Sequence, residues 1–258
     1  KVGTARTVYR HCVGLHGERQ IAAVKVQRKV DRLVYLALNI FERRRSFGAL
    51  PPSVRHDVKA FWGSFQAADA EAKKQLFTAG QPEVILQACK AAERDNLGHL
   101  EDRAFTLHSS VQQQLPAILR IYLACAQRVY GGFESADLIK IHIGSNKVSL
   151  TTYDDFDGKP VPLLLERIKI TLGQADFRLF EYGEEFVSQP LYLKSRYLPQ
   201  HHPIRDQQVQ FDEALMSLDQ FDFADFGPDR EEFEQGLLRA GKTIQGYQLQ
   251  PLTTPAGD

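Results

Sequence analysis

The sequence predicts an α+β fold, in which an N-terminal helical half precedes a mostly antiparallel sheet of two hairpins and a closing helix. Three observations indicate this order. Apolar residues recur at three- and four-residue spacing through about the first 130 residues, which is typical of amphipathic helices. Alternating β-branched runs around tight turns follow from residue 137. A helical segment with an acidic first turn begins near residue 230.

Four helices are predicted in the first half. Residues 21–45 follow the helical spacing until "FGALPP" interrupts it. Ser53 is then a predicted cap for a second helix that ends at Gly80. Residues 82–96 and 109–132 give the third and fourth helices. The connector between these two has strand character at Ala104–His108.

The second half changes to strand patterns. Hairpins are predicted at 137–155, around "GSN", and at 166–182, around Gly173-Gln174. Asp229 is a predicted cap for the closing helix, and the residues from 251 onwards are predicted to be a frayed tail. We therefore expect a basic helical region at 1–132 and a sheet region with an acidic C-terminal helix and tail at 133–258. These regions form either two domains or one compact domain.

Composition and missing motifs exclude several classes of protein. The chain has 258 residues, of which 43% are hydrophobic and 25% charged, as in ordinary globular proteins. It has no stretch of eighteen apolar residues and no secretory leader pattern, and its three cysteines lie far apart. These features predict a cytoplasmic protein without a membrane partner. No glycine-rich nucleotide loop or zinc-protease motif occurs, so we predict no nucleotide cofactor.

Charge is distributed unevenly along this neutral chain. Residues 1–60 contain 13 Lys and Arg against 4 Asp and Glu, whereas residues 201–258 contain 4 against 11. Such a basic end can present phosphate-binding side chains to DNA. The candidate DNA-binding residues are Arg43, Arg44, Arg45, Arg55 and Lys59. Two structural roles compete with DNA binding, because three of these arginines also suit a helix C-terminus and the acidic end can neutralise the basic one.

Three carboxylates follow the second predicted strand, in "TTYDDFDGKP". Strand alternation places Asp155 and Asp157 toward solvent, whereas Phe156 and Asp154 face the core side. Exposed paired carboxylates can hold Mg²⁺ in a nuclease or assist a glycosylase. The alternative is a polar turn. If the chain is an enzyme, the candidate catalytic residues are Lys147, Tyr153, Asp155 and Asp157, with Lys147 contacting a phosphate.

Much of the chain, from about residue 30 to residue 249, resembles the DNA phosphorothioation-associated methyltransferase family. The resemblance is carried by "VKAFWGS", "YDDFD" and "GLLRAGKTIQGYQL". The family's methyltransferase domain lies upstream of the resembling region, so the resemblance implies no methyl transfer for these residues. The family also tends to have a histidine-proline pair where this chain has "GKPVP". The resemblance implies a setting of bacterial DNA modification and phage defence.

These observations predict a DNA-associated protein that binds DNA through its basic helical face. The first alternative is a hydrolase of modified DNA, either a base-excising glycosylase or a nuclease, and only the nuclease would require Mg²⁺. The second alternative is a protein-interaction module that binds partner proteins of a defence complex. The sequence alone leaves open whether the chain is an enzyme.

Overall fold

The computed structural model describes residues 4–42, 46–224 and 226–252. Helices precede a six-stranded antiparallel sheet, two further helices and a C-terminal hairpin, so the predicted α+β class is confirmed. The chain divides into two compact units. The first is Lys1–Gln81 with Ala117–Cys125, and the second is Pro82–Pro116 with Ala126–Asp258.

The first unit is helical. Its helices are α1 (Ala5–Phe41), α2 (Pro52–Trp62), α3 (Phe65–Thr78) and the first nine residues of α5 (Ala117–Val129), with α4 (Pro82–Arg94) belonging to the second unit. The single helix predicted from Ser53 to Gly80 is in fact two helices. Gly63 adopts φ 74° and ends α2, and the Ser64 side chain accepts a hydrogen bond from the Ala67 N–H to begin α3.

The second unit contains the main sheet. Its strands are β1 (His99–Glu101), β2 (Ala104–His108), β3 (Leu138–His142), β4 (Lys147–Tyr153), β5 (Leu164–Thr171) and β6 (Asp176–Glu181). Each strand pairs antiparallel with the next, so their order in space is their order in the chain. Both predicted hairpins are present, and the sheet additionally includes β1 and β2 from the connector before residue 109.

The two faces of this sheet differ in polarity. Alternate residues on the central strands are buried and apolar: Ile139, Ile141, Val148, Leu150, Ile168 and Ile170. The residues between them on the same strands are mainly polar or basic. The apolar face therefore contributes to the core, and the polar face is available to bind a ligand.

The remaining elements of the second unit are α6 (Arg205–Met216), α7 (Arg230–Arg239) and the hairpin β7 (Lys242–Gln245) with β8 (Gln248–Pro251). As predicted, Asp229 caps α7 by accepting a hydrogen bond from the Glu232 N–H. Phe211, Phe233 and Leu237 are buried in the apolar cluster beneath these helices. No helix in the described ranges is both long enough and apolar enough to pass through a lipid bilayer.

Candidate functional site

Positive charge is concentrated on the polar face of the six-stranded sheet. One cross-strand row contains Lys140 on β3, Ser149 on β4, Lys169 on β5 and Arg178 on β6. Arg167 is two residues from Lys169 on β5, and residues at that separation share a face. Adjacent strands lie about 4.8 Å apart, so Lys140 and Lys169 arise from backbones separated by only about 10 Å.

A cavity of about 550 Å³ lies over this face, and we call it the basic groove. Strands β2 to β5 form its floor, whereas residues 186–197 together with Phe223 and Phe226 form its wall. The charged residues in its lining are Lys140, Arg167, Lys169, Arg196 and Glu101. Four cations thus face one acid in a concave site, which is an arrangement that attracts anions.

The cations on the groove floor are not neutralised by neighbouring acids. In the part of the chain that the structure describes, Lys140, Arg167 and Lys169 form no ion pair. Burial lowers the pKa of Lys140, Glu101 and Asp102 oppose this, and Arg167 lowers the pKa further. The floor therefore carries positive charge that no ion pair within the described residues offsets.

The pKa of His142 is affected by the same group of cations. Burial lowers its pKa to about 4, and Lys140, Lys169, Lys147 and Arg167 each lower it further. Its Nε2 atom lies 2.8 Å from the Ser149 hydroxyl. The ring is consequently neutral at pH 7, and it contributes a hydrogen-bonding group rather than a charge to the groove floor.

The predicted DNA-binding residues of the helical half lie far along the sequence from the residues that line this groove. Arg43, Arg44 and Arg45 lie outside the described residues. Arg55 is half-buried and Lys59 is exposed, one turn apart on α2. Nearby basic side chains are already paired, since Arg28 and Arg32 both contact the buried Asp57 carboxylate, at 2.9 and 2.6 Å.

The carboxylates after β4 form a turn. Asp155 has φ 57°, and its Oδ1 atom accepts a hydrogen bond from the Gly158 N–H at 3.1 Å. Asp154 accepts hydrogen bonds from the Leu163 N–H and from the Lys159 ammonium. Asp155 and Asp157 are exposed, as expected. These hydrogen bonds of Asp154 and Asp155 shape the turn, and catalysis by Asp155 or Asp157 stays a prediction.

Lys147 and Tyr153 lie at opposite ends of β4, six residues apart. At about 3.3 Å per residue this is about 20 Å, so the structure does not bring Lys147 to the turn that contains Asp155. Tyr153 adjoins the turn in the chain, but its side chain lines the basic groove. Burial raises the pKa of Tyr153 to about 12, which leaves its hydroxyl protonated at neutral pH.

A buried lysine behind the turn was not predicted. Lys194 is fully buried, and its ammonium donates hydrogen bonds to the Phe156 carbonyl, the Lys159 carbonyl and the Tyr247 hydroxyl. Burial lowers its pKa to about 8, although Asp157 and other acids oppose this. Nothing in "YLKSRY" distinguishes this lysine from an exposed one, because its burial depends on segments far away in the chain.

Two histidines also lie beside the turn. The rings of His108 and His202 are 4.7 Å apart between centroids, and His202 Nε2 is 3.8 Å from Asp157 Oδ1. Burial lowers the pKa of His108 to about 4, with a further contribution from His202. Among the described residues, no group of three or more His, Cys, Asp and Glu side chains is placed to hold a metal ion.

A second cavity, of about 490 Å³, is lined by Asp154 and Lys159 of the turn together with residues of α7 and β7. Its lining contains Lys159, Arg230 and Lys242, but the first two are paired, Lys159 with Asp154 at 2.6 Å and Arg230 with Glu234 at 2.8 Å. This cavity therefore offers an incoming anion much less free charge than the basic groove. The basic groove is the stronger candidate for a binding site.

No protein-family model, curated protein or solved structure matches the chain. The resemblance to the phosphorothioation-associated family consequently rests on the sequence strings alone.

Proposed function

We propose that the chain binds nucleic acid by holding phosphate groups in the basic groove, and that DNA is its partner in the setting that the sequence resemblance implies. The observation that carries this proposal is the unneutralised group formed by Lys140, Arg167 and Lys169 on the groove floor. Clustered lysine and arginine side chains are the main source of affinity for a phosphate backbone.

The polar residues between these cations suit the same ligand. Ser149 and Thr151 lie on β4, between Lys140 on one side and Lys169 and Arg167 on the other. Hydroxyl groups of serine and threonine are frequent donors to phosphate oxygens, alongside lysine and arginine. Ser149 is buried with its hydroxyl 2.8 Å from His142 Nε2, and the Thr151 hydroxyl donates to the Leu138 carbonyl at 3.5 Å, so a phosphate would have to displace these contacts to reach either hydroxyl.

The helical half provides a second contact surface in this proposal. Lys59 is exposed on α2 and Arg55 is half-buried one turn away. Arg43, Arg44 and Arg45, which lie outside the described residues, belong to the same predicted surface. Their phosphate contacts would add sequence-independent affinity, because backbone contacts carry no information about bases.

The test is binding of a fluorescent DNA by anisotropy at several salt concentrations. We expect affinity to fall steeply with salt, since each neutralised phosphate releases a counter-ion. Lys140→Gln, Arg167→Gln and Lys169→Gln should each weaken binding and reduce the slope of log affinity against log salt by about 1. Lys90→Gln, at an exposed position on α4 outside the groove lining, is the matched control. Binding that is absent at low salt, or that none of the three groove variants weakens, contradicts the proposal.

A hydrolase acting on modified DNA is the second candidate, favoured by the exposed Asp155 and by the exposed Asp157, whose Oδ1 lies 3.8 Å from His202 Nε2. Plain and modified DNA incubated with and without Mg²⁺ would reveal nicks, abasic sites or released bases. A nuclease should lose its activity in a chelator, whereas a glycosylase should retain it. Tight binding to a partner protein without any binding to nucleic acid would instead support an interaction module of a cytoplasmic defence complex.

A further inference from the structure

We infer that the basic groove takes unpaired bases, so that its preferred ligand is single-stranded nucleic acid. This inference rests on the proposed phosphate binding, and it concerns the aromatic side chains that border the cations. Proteins that bind single strands combine a positively charged groove with aromatic rings on which bases stack. Both components are present here in one cavity.

Three aromatic residues form a connected cluster at one side of the groove. Phe180 on β6 lies 5.8 Å from Phe186, and Tyr182 lies 5.7 Å from Phe186, between ring centroids. All three residues line the cavity, and 45% of Phe186 is exposed to solvent. A ring with one side packed on other rings and the other side in solvent is a ready stacking surface.

A second exposed ring borders the same cavity. Phe226 lines the groove and is 65% exposed, whereas its neighbour in the lining, Phe223, packs against Tyr192 at 5.1 Å between centroids. Such exposure of a phenylalanine contributes little to the stability of the fold. A ligand that covers both rings would account for two exposed phenylalanines at the border of one basic cavity.

Arg167 connects the charged and aromatic parts of the groove. Its guanidinium carbon lies 5.5 Å from the centre of the Tyr182 ring, and its Nη2 donates to the Gln189 side chain at 3.4 Å. An arginine held this way can contact a phosphate while it lies against an aromatic ring. Phosphate and base would therefore be bound by adjacent groups.

The shape of the groove favours a base without a pairing partner. Its wall is fixed to the start of β5, since the Leu164 N–H donates to Gln189 O and the Leu191 N–H donates to Pro162 O, both at 2.9 Å. The volume of about 550 Å³ lies in the range of about 300–1,000 Å³ that is typical of sites for small ligands. A single nucleotide fits such a space, whereas a base inside a duplex would have to bring its partner strand with it.

A competition assay with the full chain and four probes distinguishes binding of bases from binding of phosphates. The probes are an oligothymidine, an abasic oligodeoxynucleotide of equal length, a duplex of equal length and inorganic polyphosphate. We expect the oligothymidine to bind at least about tenfold more tightly than the abasic strand, because each stacked base contributes a factor of that order. We also expect the oligothymidine to bind more tightly than the duplex at equal salt.

Three alanine variants test which aromatic rings contribute to oligothymidine binding. Phe186→Ala and Phe226→Ala should each weaken oligothymidine binding by about tenfold and leave polyphosphate binding unchanged. Phe77→Ala is the matched control, because Phe77 on α3 is 75% exposed and is absent from the groove lining. Since Phe186 contacts two other rings, Phe186→Leu serves as a second variant that keeps apolar bulk and removes only the ring. It should show the same loss if stacking is the cause.

The outcomes distinguish this inference from the proposal on which it rests. If no probe binds at low salt, both fail. If all four probes bind with affinities that follow charge alone, and the phenylalanine variants bind like the parent, phosphate binding stands and the inference of unpaired bases is overturned. A duplex that binds more tightly than the oligothymidine would overturn it as well.

Discussion

Lys169 on β5 lies directly opposite Arg178 on β6, so two side chains of the same charge form one cross-strand pair on the polar face of the sheet. Like charges in that position destabilise a sheet, by up to about 1 kcal/mol. Lys140 occupies the same row two strands away and adds to the repulsion. Local conflicts of this kind are expected at functional sites, where a ligand rather than the fold supplies the missing partner.

Replacing one member of this pair should therefore stabilise the protein. We expect Lys169→Gln to raise the free energy of unfolding in water by about 0.5 kcal/mol at low salt, because it relieves repulsion across the pair. The same variant should bind DNA less tightly. Urea unfolding measures the change, which should move the midpoint without altering the dependence on urea.

A double-mutant cycle provides the control for this prediction. Arg178→Gln alone should also stabilise, and the two changes together should gain less than the sum of the single gains, since either one removes the repulsion. Lys90→Gln, far from the pair in the chain, should leave stability within about 0.5 kcal/mol of the parent. A loss of stability in Lys169→Gln would show that the pair is not repulsive.

His142 should make stability depend on pH. Its pKa in the folded protein is about 4, below the ordinary value, so the unfolded chain takes up the proton first as pH falls. The contribution of neutral His142 is present above about pH 6.5, and it is lost as pH falls from about 6.5 toward 4. We expect His142→Gln to lose less stability than the parent over this range when urea unfolding is measured at pH 7.5, 6 and 5.

Removal of the His142–Ser149 hydrogen bond should shift the curve of the variant by a constant amount, independent of pH. The remaining titration of His108, whose folded pKa is also about 4, is common to both proteins. The difference between the two curves is thus specific to His142. Parallel curves for parent and variant from pH 7.5 to 5 would contradict the prediction.

Local sequence patterns predicted the hairpins, because short stretches of residues are enough to determine them. The hairpins at 137–155 and 166–182 followed from alternation and turn residues, and both are present in the sheet. The break between α2 and α3 had a readable signal in Gly63-Ser64, a glycine end followed by a serine cap, but the apolar spacing continues across it. Strands β7 and β8 were not predicted, because each has only four residues.

The basic groove was only partly predictable from the sequence. Lys140 and His142 on one predicted strand, and Arg167 and Lys169 on another, alternate with apolar residues, which indicates a basic sheet face. The register that aligns Lys140 with Lys169 depends on turn geometry and on β4 between them. The wall formed by residues 186–197 depends on tertiary packing, which no local pattern contains.

Asp155 offers a direct comparison of the turn and catalytic hypotheses. Its φ of 57° is accessible to asparagine at little cost, whereas alanine is strained there and loses the contact to the Gly158 N–H. We expect Asp155→Asn to have nearly the stability of the parent and Asp155→Ala to lose about 1–2 kcal/mol in urea unfolding. DNA binding should be unchanged in both.

The exposed Asp157 serves as the comparison position, since Asp157→Asn and Asp157→Ala both remove the carboxylate that favours the charged form of Lys194 and should therefore lose similar amounts of stability. If the parent hydrolyses DNA, the same variants decide the role of the turn. Full activity in Asp155→Asn and Asp157→Asn limits these carboxylates to shaping the chain. Activity lost with stability retained would instead identify one of them as catalytic.

Lys194 holds the turn to the C-terminal hairpin. Its ammonium donates to the carbonyls of Phe156 and Lys159, and it also donates to the hydroxyl of Tyr247, whose own proton goes to the Asp157 carbonyl at 2.8 Å. A buried charge is costly, but removal of the lysine would leave the buried Phe156 carbonyl without its donor and would take one donor from the Lys159 carbonyl. The stability lost with these hydrogen bonds should exceed the stability gained because a charge is no longer buried.

We therefore expect Lys194→Met to lower the free energy of unfolding by about 2 kcal/mol at pH 7. Because the pKa of Lys194 falls to about 8 on folding, the unfolded chain holds this proton more firmly, and the parent should gain stability as pH rises from about 8 to 10. The variant should lack that gain. Tyr247→Phe, which removes one acceptor of Lys194 and the donor to the Asp157 carbonyl, should lose less stability than Lys194→Met and keep the pH-dependent gain. Equal pH dependence of parent and Lys194→Met in urea unfolding would show that the lysine titrates normally and that its burial is not what fixes the turn.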